Sequence, residues 1–276
     1  MSRTVVITGC SSGFGRITAL RLAREHWRVL ATVRRHEDGT SLADEAASIS
    51  GGQVIPIVCD ITRADDVARL ASVAGDTTES LDALVNNAGT AFPAPIEQLS
   101  IDDLRAQFEV NVIGHVAVTQ ALLPLLKRAP GTIVNVSSVA GRIATPMLGA
   151  YAASKFSLEA ISDTLRLELA PSGVRVVVIE PSSSPTAIWQ TSLARADQAD
   201  PGEYAALGDS VRRMAQRGAA SGFPPELFAA TVSKILNMPR PRARYAIPAA
   251  AGRQLRLHWL LPQAWWDRLV RRALKW

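Results

Sequence analysis

Two side chains in the middle of the chain could exchange a proton with a substrate. Tyr151 and Lys155 are four residues apart, so on a helix they lie on the same face, one turn from each other. A free phenol titrates near a pKa of about 10 and a free ammonium near about 10.4. A cation held beside the phenol favours the phenolate, so we expect the pKa of Tyr151 to fall toward neutrality. Such a pair can donate a proton at physiological pH.

The same spacing also occurs on solvated helix faces. The surrounding elements therefore determine whether the pair is catalytic or only part of an exposed helix face. Short β-branched runs alternate with helical segments up to residue 180, which predicts a parallel sheet with helices on both faces. The predicted strands are 4–8, 28–33, 54–58, 81–85, 132–136 and 174–179. The predicted helices are 16–24, 43–49, 65–74, 101–127 and one that carries the pair and ends near residue 170.

A glycine-rich stretch separates the first strand from the first helix. In this context glycines allow the backbone to approach a pyrophosphate, and the helix N-terminus offers free N–H groups and a positive dipole end. A plain tight turn is the alternative. We predict a dinucleotide-binding turn formed by Gly9, Ser11, Ser12, Gly13, Phe14 and Gly15.

The end of the second strand bears on the choice of dinucleotide. An acidic residue there would bind the ribose 2′-hydroxyl of NAD. This chain has Val33 followed by Arg34 and Arg35. Because a guanidinium pairs with a 2′-phosphate, we predict that NADP(H) is preferred and that NAD(H) is possible. The alternative is that both arginines are solvated loop residues.

Five further features fall at predicted strand ends, where doubly wound sheets bind ligands. They are Gly9, Asp60, Asn86, Ser138 and Pro181. Asn111 lies inside a predicted helix although asparagine is a poor helix former, which indicates a structural or water-binding role.

Taken together, these motifs resemble the short-chain dehydrogenase/reductase family, in its compact single-domain branch. Thr8, Gly9, Gly13 and Gly15 match its cofactor turn, and the stretch Asn-Asn-Ala-Gly at 86–89 matches its motif after the fourth strand. The signature pair stands thirteen residues after the serine, as the family pattern requires. The resemblance covers about residues 3–190 and extends to NADP-preferring hydroxysteroid-type, retinol-type and carbonyl reductase members. It implies a Rossmann-type doubly wound parallel sheet of about seven strands.

The resemblance also implies roles for the active-site residues. Ser138 would orient a substrate carbonyl, and Tyr151 would be the general acid or base. Lys155 would hold the nicotinamide ribose and lower the pKa of Tyr151, while Asn111 would anchor a water molecule. No metal ligands are expected. Besides the glycine turn and Arg34, the implied cofactor contacts are Asp60, Ile61, Asn87, Ala88, Gly89, Tyr151, Lys155, Pro181 and Thr186.

The implied function is hydride transfer between NADP(H) and a carbonyl or secondary alcohol on an apolar small molecule. A non-catalytic NADP(H)-binding sensor or scaffold is the alternative. One departure concerns the segment after Pro181, where the family has glycine, an apolar residue and threonine. Here Ser182 replaces the glycine and Ser184 the apolar residue, and Ser182 would be strained if its φ were positive.

The substrate lid is expected at about residues 185–222. An apolar pocket could be built from Val139, Met147, Leu148, Ile188 and Trp189, which are ordinary core residues in the alternative reading. We assign residues 1–252 to the dinucleotide-binding domain and 253–276 to a basic amphipathic helical tail. The tail either contacts a membrane surface or packs on its own domain or on a sister subunit.

Composition bears on the partners and the cellular compartment of the protein. The 276 residues carry a formal net charge of +5, but no nucleic-acid-binding motif accompanies it, so no nucleic-acid partner is expected. Neither a signal segment nor an apolar run of about 18 residues is evident. Cys10 and Cys59 end apolar runs and are expected to be buried free thiols in a reducing, cytoplasmic compartment. The resemblance implies a homodimer or homotetramer joined through the helices that hold Asn111 and Tyr151.

Overall fold

Seven parallel strands form the centre of the computed structural model, which describes residues 2–186 and 202–276. The strands are β1 Thr4–Ile7, β2 Arg28–Val33, β3 Gln53–Val58, β4 Ala83–Asn86, β5 Thr132–Val136, β6 Arg175–Pro181 and β7 Arg244–Ile247. Their order in the sheet is β3-β2-β1-β4-β5-β6-β7. The predicted doubly wound parallel sheet is confirmed.

Ten α-helices are found within the described residues. They are α1 Gly13–Arg24, α2 His36–Ala46, α3 Ala64–Thr77, α4 Ile101–Phe108, α5 Gly114–Arg128, α6 Gly149–Glu168, α7 Ala205–Ser221, α8 Pro225–Leu236, α9 Ala249–Leu260 and α10 Gln263–Leu274. The prediction for α2 began seven residues too late, at 43, because Gly39 lies inside the helix. A Cβ at Gly39 would come within 3.2 Å of Pro56, so glycine lets α2 pack closely on the sheet.

Each face of the sheet has its own hydrophobic core. On one face, Leu22 of α1 and Phe228 of α8 pack against strand residues such as Val5. On the other face, Leu70 of α3 and Leu122 of α5 pack on the opposite side of the same strands. Because both faces are covered, the strands are mostly apolar and do not alternate between apolar and polar residues.

Helices α4 and α5 form one long element joined by a π-helical turn, Glu109–Ile113. Among the described residues, Ile101–Arg128 is the one helix long and apolar enough to cross a bilayer by length and composition, contrary to the expectation that no such run exists. Half of its most apolar window is buried. Val118, Leu122 and Leu126 lie in the core cluster, so core packing explains the composition.

The strand order places a crevice at the carboxyl ends of β1 and β4. The chain builds outward from β1 to β3 and then returns to add β4 on the other side of β1. At this reversal the helices leave toward opposite faces of the sheet, and ligands of open α/β sheets bind in the gap.

Candidate active site

The turn after β1 has the conformation that the glycines predicted. Gly9 and Gly13 have φ values of 71° and 57°, in the left-handed region that favours glycine. A Cβ on Gly9 would lie 2.8 Å from Cα of Ala88, and one on Gly15 would lie 2.3 Å from the Gly9 carbonyl oxygen. Side chains at these positions would close the space between the turn and the loop after β4.

Hydrogen bonds fix that loop against the turn. Nδ2 of Asn87 donates to the carbonyl oxygens of Thr8 and Gly9, at 2.8 and 3.1 Å. Oγ1 of Thr8 accepts from the backbone N–H groups of Asn87 and Ala88, at 2.9 and 3.0 Å. The two strand ends at the crevice are therefore held together by one threonine and one asparagine.

The N-terminus of α1 is suited to a phosphate. The first turn contains no acidic residue, and the side chain of the N-cap residue Ser12 makes no capping hydrogen bond. The ring of Phe14 instead stacks on Phe228 at 4.2 Å, so only the backbone of Phe14 faces the turn. Thr186 reaches this turn from β6, with its Cβ 3.5 Å from the Cβ position of Gly13. The glycine cradle and the uncapped helix end fit a dinucleotide pyrophosphate.

The two arginines after β2 differ in their contacts. Nε and Nη2 of Arg35 each donate to the carboxylate of Asp38 at 3.0 Å, and this pairing lowers the pKa of Asp38. Arg34 makes no hydrogen bond or ion pair within residues 2–186 and 202–276. Both arginines, with Ser11, Ser12 and Asp38, line a cavity of about 430 Å³ beside the turn.

The end of β3 contributes Asp60 and Ile61 to the same edge. Oδ1 of Asp60 accepts from the backbone N–H and the hydroxyl of Thr62, at 3.0 and 2.8 Å. Ile61 is buried against α5, where a Cβ on Gly114 would meet it at 2.8 Å. Gly114 therefore allows α5 to approach the loop after β3.

The π-helical turn presents Asn111 to the loop after β4. Oδ1 of Asn111 accepts from the N–H of Thr90 at 2.9 Å, and Nδ2 donates to the Thr90 carbonyl oxygen and to Oγ of Ser154, both at 3.0 Å. Its side chain is fully buried. The asparagine ties α4–α5, the loop and α6 together, and the local π-helical geometry is common at functional sites.

Ser138, Tyr151 and Lys155 meet at the carboxyl end of β5. Oγ of Ser138 accepts from the N–H of Ala140 at 3.0 Å and donates to the Pro181 carbonyl oxygen at 3.5 Å. The Ser138 side chain also acts on the Tyr151 phenol, whose pKa it lowers. Nζ of Lys155 donates to the Val136 carbonyl oxygen at 2.8 Å and lies 5.8 Å from the centre of the Tyr151 ring. The helix brings both side chains to one face, as their spacing predicted.

Burial controls the acid–base properties of this pair. It raises the pKa of Tyr151, while the hydrogen bond from Ser138 lowers it less. Burial also lowers the pKa of Lys155 to about 8, against a smaller opposing effect of Glu159. The expectation of a lowered Tyr151 pKa is therefore wrong for this structure, because the ammonium is turned toward Val136 and the phenol is desolvated.

A partly buried ionic cluster lies one helical turn beyond Lys155. Nε of Arg244 donates to Oε2 of Glu159 at 3.0 Å, and its Nη2 donates to Asp163 at 2.7 Å. Glu180, next to Pro181 on β6, pairs with Arg142 at 3.3 Å. Burial, followed by the charge of Glu159, raises the pKa of Glu180. These charges fix α6 against β6 and β7.

His115 is a site residue that sequence reasoning missed. Its Nε2 lies 2.8 Å from the Ala88 carbonyl oxygen, which can only accept, so Nε2 carries the proton. Its buried Nδ1 has no partner in the described part of the chain. Burial, and then the charge of Lys155, lowers the pKa of His115 to about 3. One signal was present, since His115 follows Asn111 by one helical turn.

The segment after β6 departs from the family motif without backbone strain. Ser182 is not among the residues with positive φ, and its N–H donates to the Ile247 carbonyl oxygen at 2.9 Å. Oγ of the buried Ser184 donates to the Phe223 carbonyl oxygen at 2.7 Å. The serines thus connect the end of β6 to β7 and to the segment that follows α7.

Other expectations have mixed outcomes. Cys10 and Cys59 are free and buried as predicted, and burial raises the pKa of Cys59 to about 11. Residues 2–186 and 202–276 contain no group of three His, Cys, Asp or Glu side chains that could hold a metal. Ile188 and Trp189, and the lid from 187 to 201, lie outside the described residues. Val139, Met147 and Leu148 are half-buried.

Known proteins are similar to this chain in sequence and in fold. The profile of the short chain dehydrogenase family matches residues 3–197. The uncharacterized oxidoreductase YusZ of Bacillus subtilis is 35% identical, with 99% of this chain and 98% of that protein covered. Retinol dehydrogenase 5 of Mus musculus is 36% identical, with 99% of this chain and 87% of that protein covered.

Among solved structures, a short chain dehydrogenase/reductase from Burkholderia phymatum in complex with NAD superposes with a TM-score of 0.82. It is 26% identical, and 93% of this chain and 92% of that chain are covered. The range matched by the family profile, 3–197, includes the glycine turn and the helix that carries Tyr151 and Lys155. This chain belongs to the short-chain dehydrogenase/reductase family, as an NAD(P)-dependent oxidoreductase that acts on CH–OH and C=O groups.

Proposed function

We propose that this protein interconverts a carbonyl and a secondary alcohol on an apolar small molecule, with NADP(H) preferred over NAD(H). The observation that carries the proposal is the meeting of Ser138, Tyr151 and Lys155 beside the dinucleotide crevice. Support for an apolar substrate comes from the half-buried Val139, next to Ser138 in the chain, and from Met147 and Leu148, which are half-buried just before α6. The similarity to a retinol dehydrogenase also supports it.

Each group has a role that its position supports. When bound, NADP(H) supplies the hydride that reaches the carbonyl carbon. Ser138 holds the substrate oxygen, and Tyr151 gives its proton to that oxygen as negative charge develops. A phenol whose pKa is raised by burial keeps its proton at neutral pH, which suits the reductive direction. Lys155 holds the ribose, and Asn111 positions a water molecule for proton return.

Removal of the Tyr151 hydroxyl group tests this mechanism. Tyr151→Phe should lower kcat by at least about 100-fold, because a positioned proton donor contributes that much or more. The dissociation constant for NADPH should stay within about twofold of wild type, measured by quenching of protein fluorescence. Tyr245→Phe is the matched control, since its hydroxyl accepts from the N–H of Arg242 on the far edge of the sheet.

Retained turnover in Tyr151→Phe would rule out the proposed proton donor. Wild-type protein that binds NADPH but reduces no ketone in a broad screen would favour the sensor or scaffold function.

Cofactor preference is tested at Arg34. Arg34→Ala should raise the KM for NADPH about tenfold, the loss of one charge-assisted contact to a phosphate, and leave that for NADH nearly unchanged. Arg35→Ala should change both less, because Arg35 already pairs with Asp38. Equal effects of Arg34→Ala on both cofactors would contradict a 2′-phosphate contact.

We also propose that the protein is cytoplasmic, forms a homodimer or homotetramer, and touches a membrane surface through its C-terminal helix. Exposed Ile113 and Phe156, on the elements that hold Asn111 and Tyr151, support a subunit interface there. Light scattering after size-exclusion chromatography measures the subunit number. A monomer at micromolar concentration would contradict the interface.

A further inference from the structure

The positive charge of the protein is concentrated in its last two helices. Residues 249–276 contain six Arg and Lys side chains and one acidic residue, Asp267. This segment alone accounts for the formal net charge of +5, so residues 1–248 contain equal numbers of basic and acidic side chains. The net positive charge therefore does not come from a basic surface spread over the whole protein.

Helix α10 has two apolar stripes rather than one. Trp266, Val270 and Leu274 lie on the inward side, where Trp266 packs against His258 at 4.7 Å and Leu274 is buried. Trp265 and Leu269 lie on the outward side and are 61% and 47% exposed. Packing on the domain therefore explains only the inward stripe, and the outward stripe has another purpose.

Helix α9 adds exposed apolar side chains close to the turn before α10. Trp259 and Leu260 are 81% and 68% exposed, the two largest values among the exposed large hydrophobic residues of the described chain. Leu257 is 49% exposed. Arginines flank these residues on both helices, so we define the tail face as Leu257, Trp259, Leu260, Trp265 and Leu269 with Arg253, Arg256, Arg268 and Arg272.

The tail also contacts the described part of the segment expected to form the lid. Trp276 stacks on Tyr204 with ring centres 6.3 Å apart, and the Tyr204 hydroxyl donates to Oε2 of Glu97 at 2.7 Å. Tyr204 immediately precedes α7, and α10 packs directly on α7. Whatever binds the tail face lies close to α7.

We propose that the tail face binds an anionic lipid bilayer, which places the lid helix α7 next to the membrane. Tryptophan and leucine insert at the headgroup level, and each nearby arginine adds electrostatic attraction to anionic lipid. A second copy of this chain is a poorer occupant, because two faces with the same positive charge repel each other. The proposal rests on the membrane contact proposed above, to which it adds the lipid class and the place of α7, and it does not depend on the reaction catalysed.

Sedimentation with lipid vesicles tests the proposal. Wild-type protein should sediment with vesicles of equal phosphatidylglycerol and phosphatidylcholine, and far less with pure phosphatidylcholine or in 0.5 M salt. The double variant Trp265→Ser, Leu269→Ser should bind the anionic vesicles at least tenfold more weakly. Because both side chains are exposed, circular dichroism should show an unchanged fold.

The matched control replaces exposed apolar residues elsewhere. Ile96→Ser and Leu167→Ser, each 66% exposed in wild type, should bind vesicles like the wild type. Equal vesicle binding by the tail variant and the wild type would overturn the proposal. A smaller oligomer in the tail variant, with vesicle binding unchanged, would assign the face to a second copy and also overturn it.

Hydrogen–deuterium exchange tests the position of the lid. Amides of α7 should exchange more slowly when anionic vesicles are present, while those of α2 should not change. Unchanged exchange in α7 with protein bound to vesicles would overturn the placement of the lid at the membrane.

Discussion

The candidate active site buries polar side chains, whereas the C-terminal tail exposes apolar ones. In the active site Asn111 and Lys155 are buried, and their polar atoms have hydrogen-bond partners. In the tail Trp259 and Trp265 are exposed, although burying each would be favourable. Buried paired polar groups hold a fixed geometry for chemistry, whereas exposed tryptophans in a charged setting indicate a contact completed by something outside the chain.

If paired polar groups hold the active site together, removing one should destabilise the whole domain. Asn111→Leu keeps the volume of the side chain but leaves the Thr90 N–H without its acceptor and removes two donated hydrogen bonds. We expect a loss of about 2–3 kcal/mol in the free energy of unfolding, measured by urea denaturation. The change should also straighten the π-helical turn.

Asn237→Leu is the control for Asn111→Leu. Its amide donates to the Ser233 carbonyl oxygen within its own helix end and is exposed, so we expect a loss below about 1 kcal/mol. Similar losses in both variants would show that the Asn111 contacts are not special to the active site.

The buried His115 should make the stability of the folded protein depend on pH. Its pKa of about 3 in the folded protein is below the unfolded value of 6.5, so only the unfolded chain gains a proton between these values. Its contribution to stability is complete above pH 6.5 and is lost as pH falls, by about 1.4 kcal/mol per pH unit. His115→Gln keeps a donor for the Ala88 carbonyl and removes this titration.

The measurement is urea denaturation at pH 7, 6 and 5. The stability of wild type relative to His115→Gln should fall by about 2 kcal/mol across this range. The exposed His36→Gln should follow the wild-type curve. Parallel curves for wild type and His115→Gln would contradict a neutral, buried histidine.

Sequence reasoning selected residues that the structure brings together at the candidate active site, because the chemistry expected there demands particular residue types. Gly9 and Gly15 are needed where a Cβ would collide, and Tyr151 and Lys155 share a face through helical spacing alone. The positions at strand ends followed from the parallel sheet. These features depend on local backbone geometry, which a short segment of sequence can specify.

What the sequence left unpredicted depends on contacts between distant segments. Phe14 stacks on Phe228, which is 214 residues away, and Ser184 bonds the carbonyl of Phe223. The raised pKa of Tyr151 follows from burial by several elements, so spacing to Lys155 could not reveal its sign. Likewise, the two stripes of α10 are distinguished only by where the helix lies on the domain.

The segment 181–186 lies beside the glycine turn of the candidate active site, and the smallest effect is expected there. The family motif has glycine where this chain has Ser182, so Ser182→Gly would gain stability if the serine were strained. Because φ at Ser182 is not positive, we expect a loss of about 0.5 kcal/mol from the greater freedom of the unfolded chain. The Ser182 N–H bond to Ile247 is retained in either case, since it is made by the backbone.

Gly173→Ser is the opposite change at a position where glycine is required. Its φ of 72° and the approach of Pro130 to within 3.2 Å of the Cβ position predict a loss of about 1–2 kcal/mol. Thermal unfolding of both variants measures the contrast. A gain on Ser182→Gly would show that the segment is strained in solution, and that the departure from the family motif is costly at the nicotinamide side of the site. A small loss instead means that the serines fit this backbone, and that the lid differs from the family in its contacts rather than in its strain.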